Sequence, residues 1–294
     1  MTAMLTAALI PAYNEDRFIG SVVLKAKRYV DLVVVVDDGS HDDTAALAEA
    51  AGAFVIRQAN VGKAGAVNAG LEYLREQHPA AVILLDGDGQ HDARDIPLLL
   101  RPVLEGAVDL VVGSRFLGVE SNTPKWRVAG QQALTVATNL ASGVALTDSQ
   151  NGFRALSSKA LDSMHFRTNG FSIESEMQFL VKQHALTVAE VPITVNYDEK
   201  PKRNPFGQGL QVLNGLLRMV GQNRPLLFFS VPGLIILIAG LLLAIAVVDR
   251  YYQSEKLATG TAIISMTLCV IGSLTIFTGV ILHTIRAYLS GHNE

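Results

Sequence analysis

The apolar run Ala81-Val82-Ile83-Leu84-Leu85 breaks directly into Asp86-Gly87-Asp88-Gly89-Gln90-His91. Residues i and i+2 of an extended chain share one face, so the two carboxylates can converge on one ligand, and the glycines admit close backbone approach. Two like charges at that separation repel unless a cation relieves them. Mg2+ or Mn2+ takes carboxylate oxygen and bridges to phosphate oxygen, so a metal-bound diphosphate is the chemistry this pair suits. A plain polar turn uses the same residue types, and the surrounding elements must decide between the two.

Up to about residue 200 the chain alternates short apolar runs with amphipathic ones, the pattern of an α/β domain with a parallel sheet. Strands are expected over 5–10, 32–36, 54–56, 82–85 and 110–112, and helices over 16–28, 43–51, 63–75 and 96–104. A helix over 125–142, a turn-rich loop over 148–154, a helix over 172–184 and a strand over 188–191 follow. Polar residues close three of the strands: Asn14-Glu15, Asp37-Asp38-Gly39-Ser40, and Asp86 to His91. Ligands of open α/β sheets bind beyond the carboxyl ends of the strands, so these clusters are expected around one crevice.

Of the 294 residues, 49% are hydrophobic and 17% charged. No charged residue occurs over 226–248 or over 258–282, and each stretch exceeds the roughly 20 residues a helix needs to cross a bilayer. Two transmembrane helices are expected. Lys200, Lys202, Arg203, Arg218 and Arg224 precede the first span, Arg286 follows the second, and the connector over 249–256 is balanced in charge. By the positive-inside rule, an integral protein of the cell membrane is expected, with the α/β region on the cytoplasmic face.

The start, over 1–8, lacks the basic region of a signal peptide. The single cysteine, Cys269, excludes an intrachain disulfide, and a net charge of −3 gives no footprint for nucleic acid. Leu210, Leu213, Leu217 and Val220 recur at helical spacing, marking an amphipathic helix that either lies on the membrane surface or packs in a core. The expected organisation is a catalytic domain over 1–205, an amphipathic segment over 206–225 and a hairpin of membrane helices over 226–286.

Neither common nucleotide fingerprint is present. Pro11-Ala12-Tyr13-Asn14-Glu15 stands where a dinucleotide fold would carry its glycines, and Asn60-Val61-Gly62-Lys63 lacks the spacing of a P-loop. Tyr13 suits the face of a base, Asp38 can accept from a base imide or amine, and Lys63 opens a helix near a nucleotide.

Taken in order, Ile10 to Glu15, Val36 to Ser40, Asn60 to Lys63, Asp86 to Gln90 and Gly113-Ser114-Arg115-Phe116 resemble the motifs of the family 2 glycosyltransferases of the GT-A fold. The resemblance covers about residues 5 to 200. Asp148 to Arg154, the basic Lys200-Pro201-Lys202-Arg203 and the apolar C-terminal helices are similar to the polyprenyl-phosphate glycosyltransferases, the dolichol-phosphate mannose synthase group. The resemblance implies that Pro11, Tyr13, Glu15, Asp38 and Lys63 hold the nucleoside side of a nucleotide sugar. Asp86 would lie near ribose and metal, and Asp88 with Gln90 would coordinate Mg2+ or Mn2+. Arg115 and Arg127 would meet phosphates, and Arg154 with Lys202 and Arg203 would close on the acceptor phosphate as a mobile lid.

A lipid phosphate is already ionised near neutral pH, with a second pKa of about 6, and needs no general base. Glu174 and Glu176 either orient the acceptor or a sugar hydroxyl, or serve as first-turn acids of their helix. Gln222-Asn223-Arg224-Pro225 is not the Gln-x-x-Arg-Trp of processive polysaccharide synthases, which favours single-sugar transfer. Expected partners are a nucleotide sugar (UDP-glucose, UDP-N-acetylglucosamine or GDP-mannose), dolichyl or undecaprenyl phosphate, and membrane lipid. A homo-oligomer stays open. So do an enzyme acting on a diacylglycerol-type lipid or glycan hydroxyl, and a silent membrane scaffold that binds nucleotide sugar.

Overall fold

The computed structural model describes residues 4–118, 125–166, 173–195, 225–254 and 258–290. The chain divides into two compact units, Met1–Gly215 and Leu216–Glu294. In the first unit the strands are β1 (Thr6–Ala12), β2 (Leu32–Asp37), β3 (Phe54–Arg57), β4 (Ala81–Leu84), β5 (Leu110–Ser114), β6 (Arg154–Ser157) and β7 (Val188–Pro192). They form one sheet in the order β3-β2-β1-β4-β6-β5-β7. Its helices are α1 (Ile19–Ala26), α2 (Thr44–Ala50), α3 (Lys63–Gln77), α4 (Ile96–Leu104), α5 (Lys125–Ser142), α6 (Ser158–Ser163) and α7 (Ile173–Gln183).

Consecutive strand residues face opposite sides, so a strand buried on both faces must be apolar throughout. Val33 to Val36 of β2 meets that demand and is buried along its length. Ile10, Ile83 and Leu85 pack with Ile19, Val23, Ile96 and Leu99, from α1 and α4, on one side. Leu9, Val34 and Leu84 pack with Val67, Leu71, Leu74 and Met177, from α3 and α7, on the other. Burying a leucine such as Leu71 or Leu74 completely stabilises the unit by roughly 2 kcal/mol.

The sheet is mixed, not purely parallel. Strand β6 runs antiparallel to both neighbours, Leu84 facing Arg154 on one side and Leu110 facing Leu156 on the other. Its four residues, Arg-Ala-Leu-Ser, contain no β-branched or aromatic side chain, so nothing local announces a strand there. The short α6 is likewise unannounced; Ser157 caps it by accepting from the N–H of Ala160 at 3.1 Å. Helix α1 starts three residues later than expected, because the Glu15 carbonyl first closes a turn with the N–H groups of Phe18 and Ile19.

Register brings the strand ends together. Ala12 of β1 faces Asp37 of β2, and Leu9 of β1 faces Leu84 of β4. The chain turns one way from β1 to β2, and β4 lies on the other side of β1, so a switch point opens between β1 and β4. Because β6 runs backwards, the loop before it returns to this same edge.

The second unit holds α8 (Val231–Ser254), entered through a π turn at Leu226–Ser230, and α9 (Thr259–Ser290). The apolar stretches Leu226–Ser254 and Thr259–Ile285 are 29 and 27 residues long, enough to cross a membrane. Glycine lets the two helices approach closely: Gly240 of α8 packs on Cys269 of α9, and the Ser265 hydroxyl donates to the Gly240 carbonyl at 2.9 Å. Ile235, Leu242, Ile245, Ile264, Met266 and Phe277 project outward, exposed. The amphipathic segment expected over 206–225 lies, apart from Pro225, outside the described residues.

Candidate active site

Asp86 leaves the end of β4 at the switch point, and Lys63, the first residue of α3, places its ammonium 2.6 Å from the Asp86 Oδ1. The same ammonium lies 2.8 Å from Glu174 Oε1 in the first turn of α7. Burial, the largest single influence, would raise the Asp86 carboxyl, but the charge and hydrogen bond of Lys63, with His91 and Arg115, together outweigh it and hold the pKa below its ordinary value. Burial would lower Lys63; its two carboxylate partners hold it above its ordinary value.

Asp88 is displaced the other way. Burial, and then repulsion from Asp86, push its carboxyl above the ordinary value, although its Oδ1 accepts from the Gln90 N–H at 3.1 Å. His91 follows on the same loop and stacks on Phe153, ring centroids 4.8 Å apart. Its Nδ1 accepts from the Asp86 N–H at 3.4 Å, and burial lowers its pKa against the pull of Asp86 and Asp88, which keeps the ring neutral. The stacking contact of His91 came without a sequence signal beyond its place at the end of the acidic loop.

Among the described residues, no three His, Cys, Asp or Glu side chains gather into a protein-only metal cage. A divalent ion at Asp88 and Gln90, with Asp86 beside them, would draw its remaining ligands from diphosphate oxygen and water. That is the habit of Mg2+, which binds through one or two carboxylates plus substrate phosphate. The raised Asp88 carboxyl is also of the kind a cation relieves, so the donor set fits such an ion.

On the nucleoside side, Asp38 follows β2 and is 4% exposed. Its two oxygens accept from the Gln58 amide at 2.7 Å, the Val61 N–H at 3.0 Å and the Gly62 N–H at 2.8 Å. The carboxylate expected to meet a base thus organises the loop that delivers Lys63. Gly39 makes that turn at φ +76°, where a Cβ would come within 2.8 Å of the Asn60 nitrogen. Across from it, Asn14 accepts from the His41 N–H and Tyr13 meets the His41 ring edge-on, with centroids 6.5 Å apart. The Glu15 N–H donates to the Thr44 hydroxyl at 2.8 Å. Pro11 lines a small cavity beside Lys63 and Asp86.

The arginines fare differently. Arg115, just past β5, directs Nε and Nη2 onto Asp148, and its guanidinium is still close enough to add a small pull toward ionised Asp86. Arg154 corrects the expectation of a lid. Its guanidinium is fully buried and donates from Nε to the Asn151 carbonyl, from Nη1 to that of Glu174 and from Nη2 to that of Ser149, at 2.8, 3.0 and 2.7 Å. A group held by three main-chain carbonyls beneath the surface fastens the 148–153 loop to α7 and cannot swing to an acceptor phosphate. The side chain of Arg127, and Lys202 and Arg203, lie outside the described residues. Gly152 carries no signal of its own within the Asp148 to Arg154 stretch, yet it sits against Asp86: a Cβ there would stand 2.9 Å from Asp86 Oδ2.

The mixed seven-stranded sheet, with its acidic pair at the β1/β4 crevice, defines a GT-A-like domain of the nucleotide-sugar-dependent transferases. Residues 7–170, more than half of the chain, match the family model for glycosyl transferase family 2, and the chain belongs to that family. Glycosyltransferase AglJ of Haloferax volcanii is 30% identical over 97% of this chain and 94% of its own length. UDP-N-acetylglucosamine–dolichyl-phosphate N-acetylglucosaminyltransferase of Methanococcus voltae is 31% identical over 68% of this chain and 88% of its own. In fold, the chain is similar to glucosyl-3-phosphoglycerate synthase of Mycobacterium tuberculosis, crystallised with Mn2+, UDP and phosphoglyceric acid. That likeness has a TM-score of 0.59 at 22% identity and covers 74% of this chain and 79% of the other. The chain is a hexosyltransferase with relatives named for transfer to polyprenyl-type phosphates, and the silent-scaffold reading gives way.

Proposed function

We propose that this protein transfers one sugar, with inversion, from a nucleotide sugar to a polyprenyl phosphate at the cytoplasmic face of the cell membrane. One observation carries the reading: a single chain joins the Asp86/Asp88 crevice to two helices long and apolar enough to span a bilayer. The dolichyl-phosphate named for the Methanococcus voltae relative supports that acceptor, and its UDP-sugar supports a UDP donor over GDP-mannose. The Mn2+ and UDP bound to the Mycobacterium tuberculosis structure support a divalent ion beside the diphosphate.

In this reading Tyr13, Glu15 and the loop shaped by Asp38 receive the nucleoside, Asp86 faces the ribose, and Asp88 with Gln90 holds Mg2+ or Mn2+. The bound ion supplies neutralisation of charge on the departing diphosphate. Lys63 and Arg115 keep positive charge on the same side of the crevice. An acceptor phosphate oxygen forms the new bond to the anomeric carbon as the bond to the nucleoside diphosphate breaks, its electron pair leaving with the diphosphate. The acceptor enters already ionised and needs no proton removed. Arg127, Lys202 and Arg203 are assigned to the acceptor phosphate, since guanidinium and ammonium groups suit its oxygens.

The test is transfer by the purified full chain in detergent, with labelled UDP-glucose, UDP-N-acetylglucosamine or GDP-mannose and with polyprenyl phosphate or diacylglycerol, with and without chelator. The expected result is sugar on polyprenyl phosphate, lost on chelation and lost in a folded Asp88→Asn variant. Transfer to diacylglycerol alone would overturn the acceptor assignment, and chelator-resistant turnover would overturn the metal.

A further inference from the structure

Glu174 stands 111 positions from Lys63 in sequence, yet their charged atoms are 2.8 Å apart, and Lys63 in turn touches Asp86 at 2.6 Å. Exposure falls along this line: the side chain of Lys63 is 42% exposed, that of Asp86 32% and that of Glu174 12%. A ligand in the crevice therefore meets Lys63 and Asp86 and finds Glu174 behind them. The cavity lined by all three, together with Pro11, Arg154 and Met177, measures about 20 Å3. That is room for one water and far too little for a sugar or a base.

Glu174 is itself fixed from behind. Arg154 donates to its main-chain carbonyl while holding Asn151 and Ser149, so the first turn of α7 and the loop beside Asp86 are one fastened body. Gly152 closes that loop over the Asp86 carboxylate. A carboxylate this buried is costly to place without a cation, and it sits in direct contact with one that is shared with the crevice.

We propose that Glu174 is a positioning residue for the donor: it anchors the Lys63 ammonium, and through it the Asp86 carboxylate, in the arrangement that receives the nucleotide sugar. The inference rests on the nucleotide-sugar reading above. It assigns Glu174 to the donor side, not to the acceptor, and to an indirect role, since among the described residues Lys63 is the group that links it to the crevice.

The experiment is a double-mutant cycle on the full chain, reading Mn2+-dependent binding of UDP or GDP by calorimetry, whichever binds the unmodified protein, beside steady-state transfer. Glu174→Gln keeps the shape and removes the charge. Losing one charge-assisted contact, it should weaken nucleotide binding and raise the donor KM about tenfold, with the acceptor KM unchanged. Lys63→Met should do the same, and Glu174→Gln should add nothing in the Lys63→Met background. Independent, multiplying losses, or a change confined to the acceptor KM, would overturn the proposal. If Glu174→Gln fails to fold, Glu174→Asp, which shortens the reach by one methylene, enters the same cycle. Unmodified protein that binds nucleotide but glycosylates another acceptor would overturn only the polyprenyl-phosphate reading, with the binding cycle still deciding Glu174. Protein that binds neither nucleotide would overturn both.

Discussion

Arg115 and Asp148 form a bidentate pair, Nε to Oδ2 at 2.6 Å and Nη2 to Oδ1 at 2.7 Å, with the Asp148 side chain wholly buried. Asp148 Oδ2 also accepts from the Arg115 N–H at 3.1 Å, so the pair ties the end of β5 to the loop that lies over Asp86. Removing one partner of such a pair strands a buried charge, which costs far more than the intact pair contributes. Arg115→Ala should lower stability by about 3 kcal/mol or more, read from the denaturant midpoint in detergent. A midpoint within about 0.5 kcal/mol of the unmodified protein, the range of ordinary surface changes, would show that the pair is dispensable.

Gly152→Ala isolates geometry from charge. The added Cβ would lie 2.9 Å from Asp86 Oδ2 and 3.4 Å from Lys63 Nζ, so the carboxylate and ammonium must shift. Displacing reacting groups by about 1 Å costs on the order of 100-fold in rate, and a loss of that size in kcat/KM is expected with little change in thermal midpoint. Full activity would mean that the arrangement of Asp86 is not critical.

Acid should loosen the start of β1. Asp31 Oδ2 accepts from the Thr6 N–H and hydroxyl, both at 2.8 Å, and the main-chain donor holds its carboxyl below the ordinary range. A carboxyl lowered on folding stabilises above its unfolded pKa of about 3.9, and that contribution fades as pH falls through the folded value. The gap in thermal midpoint between the unmodified protein and Asp31→Ala should therefore be open at neutral pH and narrow below about pH 4. A gap independent of pH would assign the effect to something other than this charge.

In the apolar hairpin, Gly240→Val should force α8 and α9 apart. A Cβ at Gly240 would fall 2.8 Å from Cys269 Sγ and 2.9 Å from the Cys269 nitrogen, and the latter, being backbone, cannot rotate away. Overpacking of this kind costs about 1 to 3 kcal/mol. Faster labelling of Cys269 by a thiol reagent in detergent is expected, while Gly260→Ala, with nothing within 4 Å, should leave the rate unchanged. Equal labelling rates in all three proteins would contradict the packing.

Much of this molecule is written locally. The valine run of β2, the acidic break after β4 and the two long apolar stretches each carry their meaning in consecutive residues, because strand burial, turn chemistry and bilayer length are properties of short segments. The α/β class, the shared edge of the strand ends and the two C-terminal helices follow from those segments alone. Partner choice does not. Arg154 looks like a free cation until the reversed β6 buries it among three carbonyls, and only the fold shows that Asp38 also holds the loop over 58–62. Lys63, Asp86 and Glu174 come from three separate elements, and only the packing of α3 and α7 over β4 makes one ion cluster of them. A charge-assisted bond forms over about 3 Å of space, whatever the separation in sequence, so which cation serves which carboxylate is settled when the layers close.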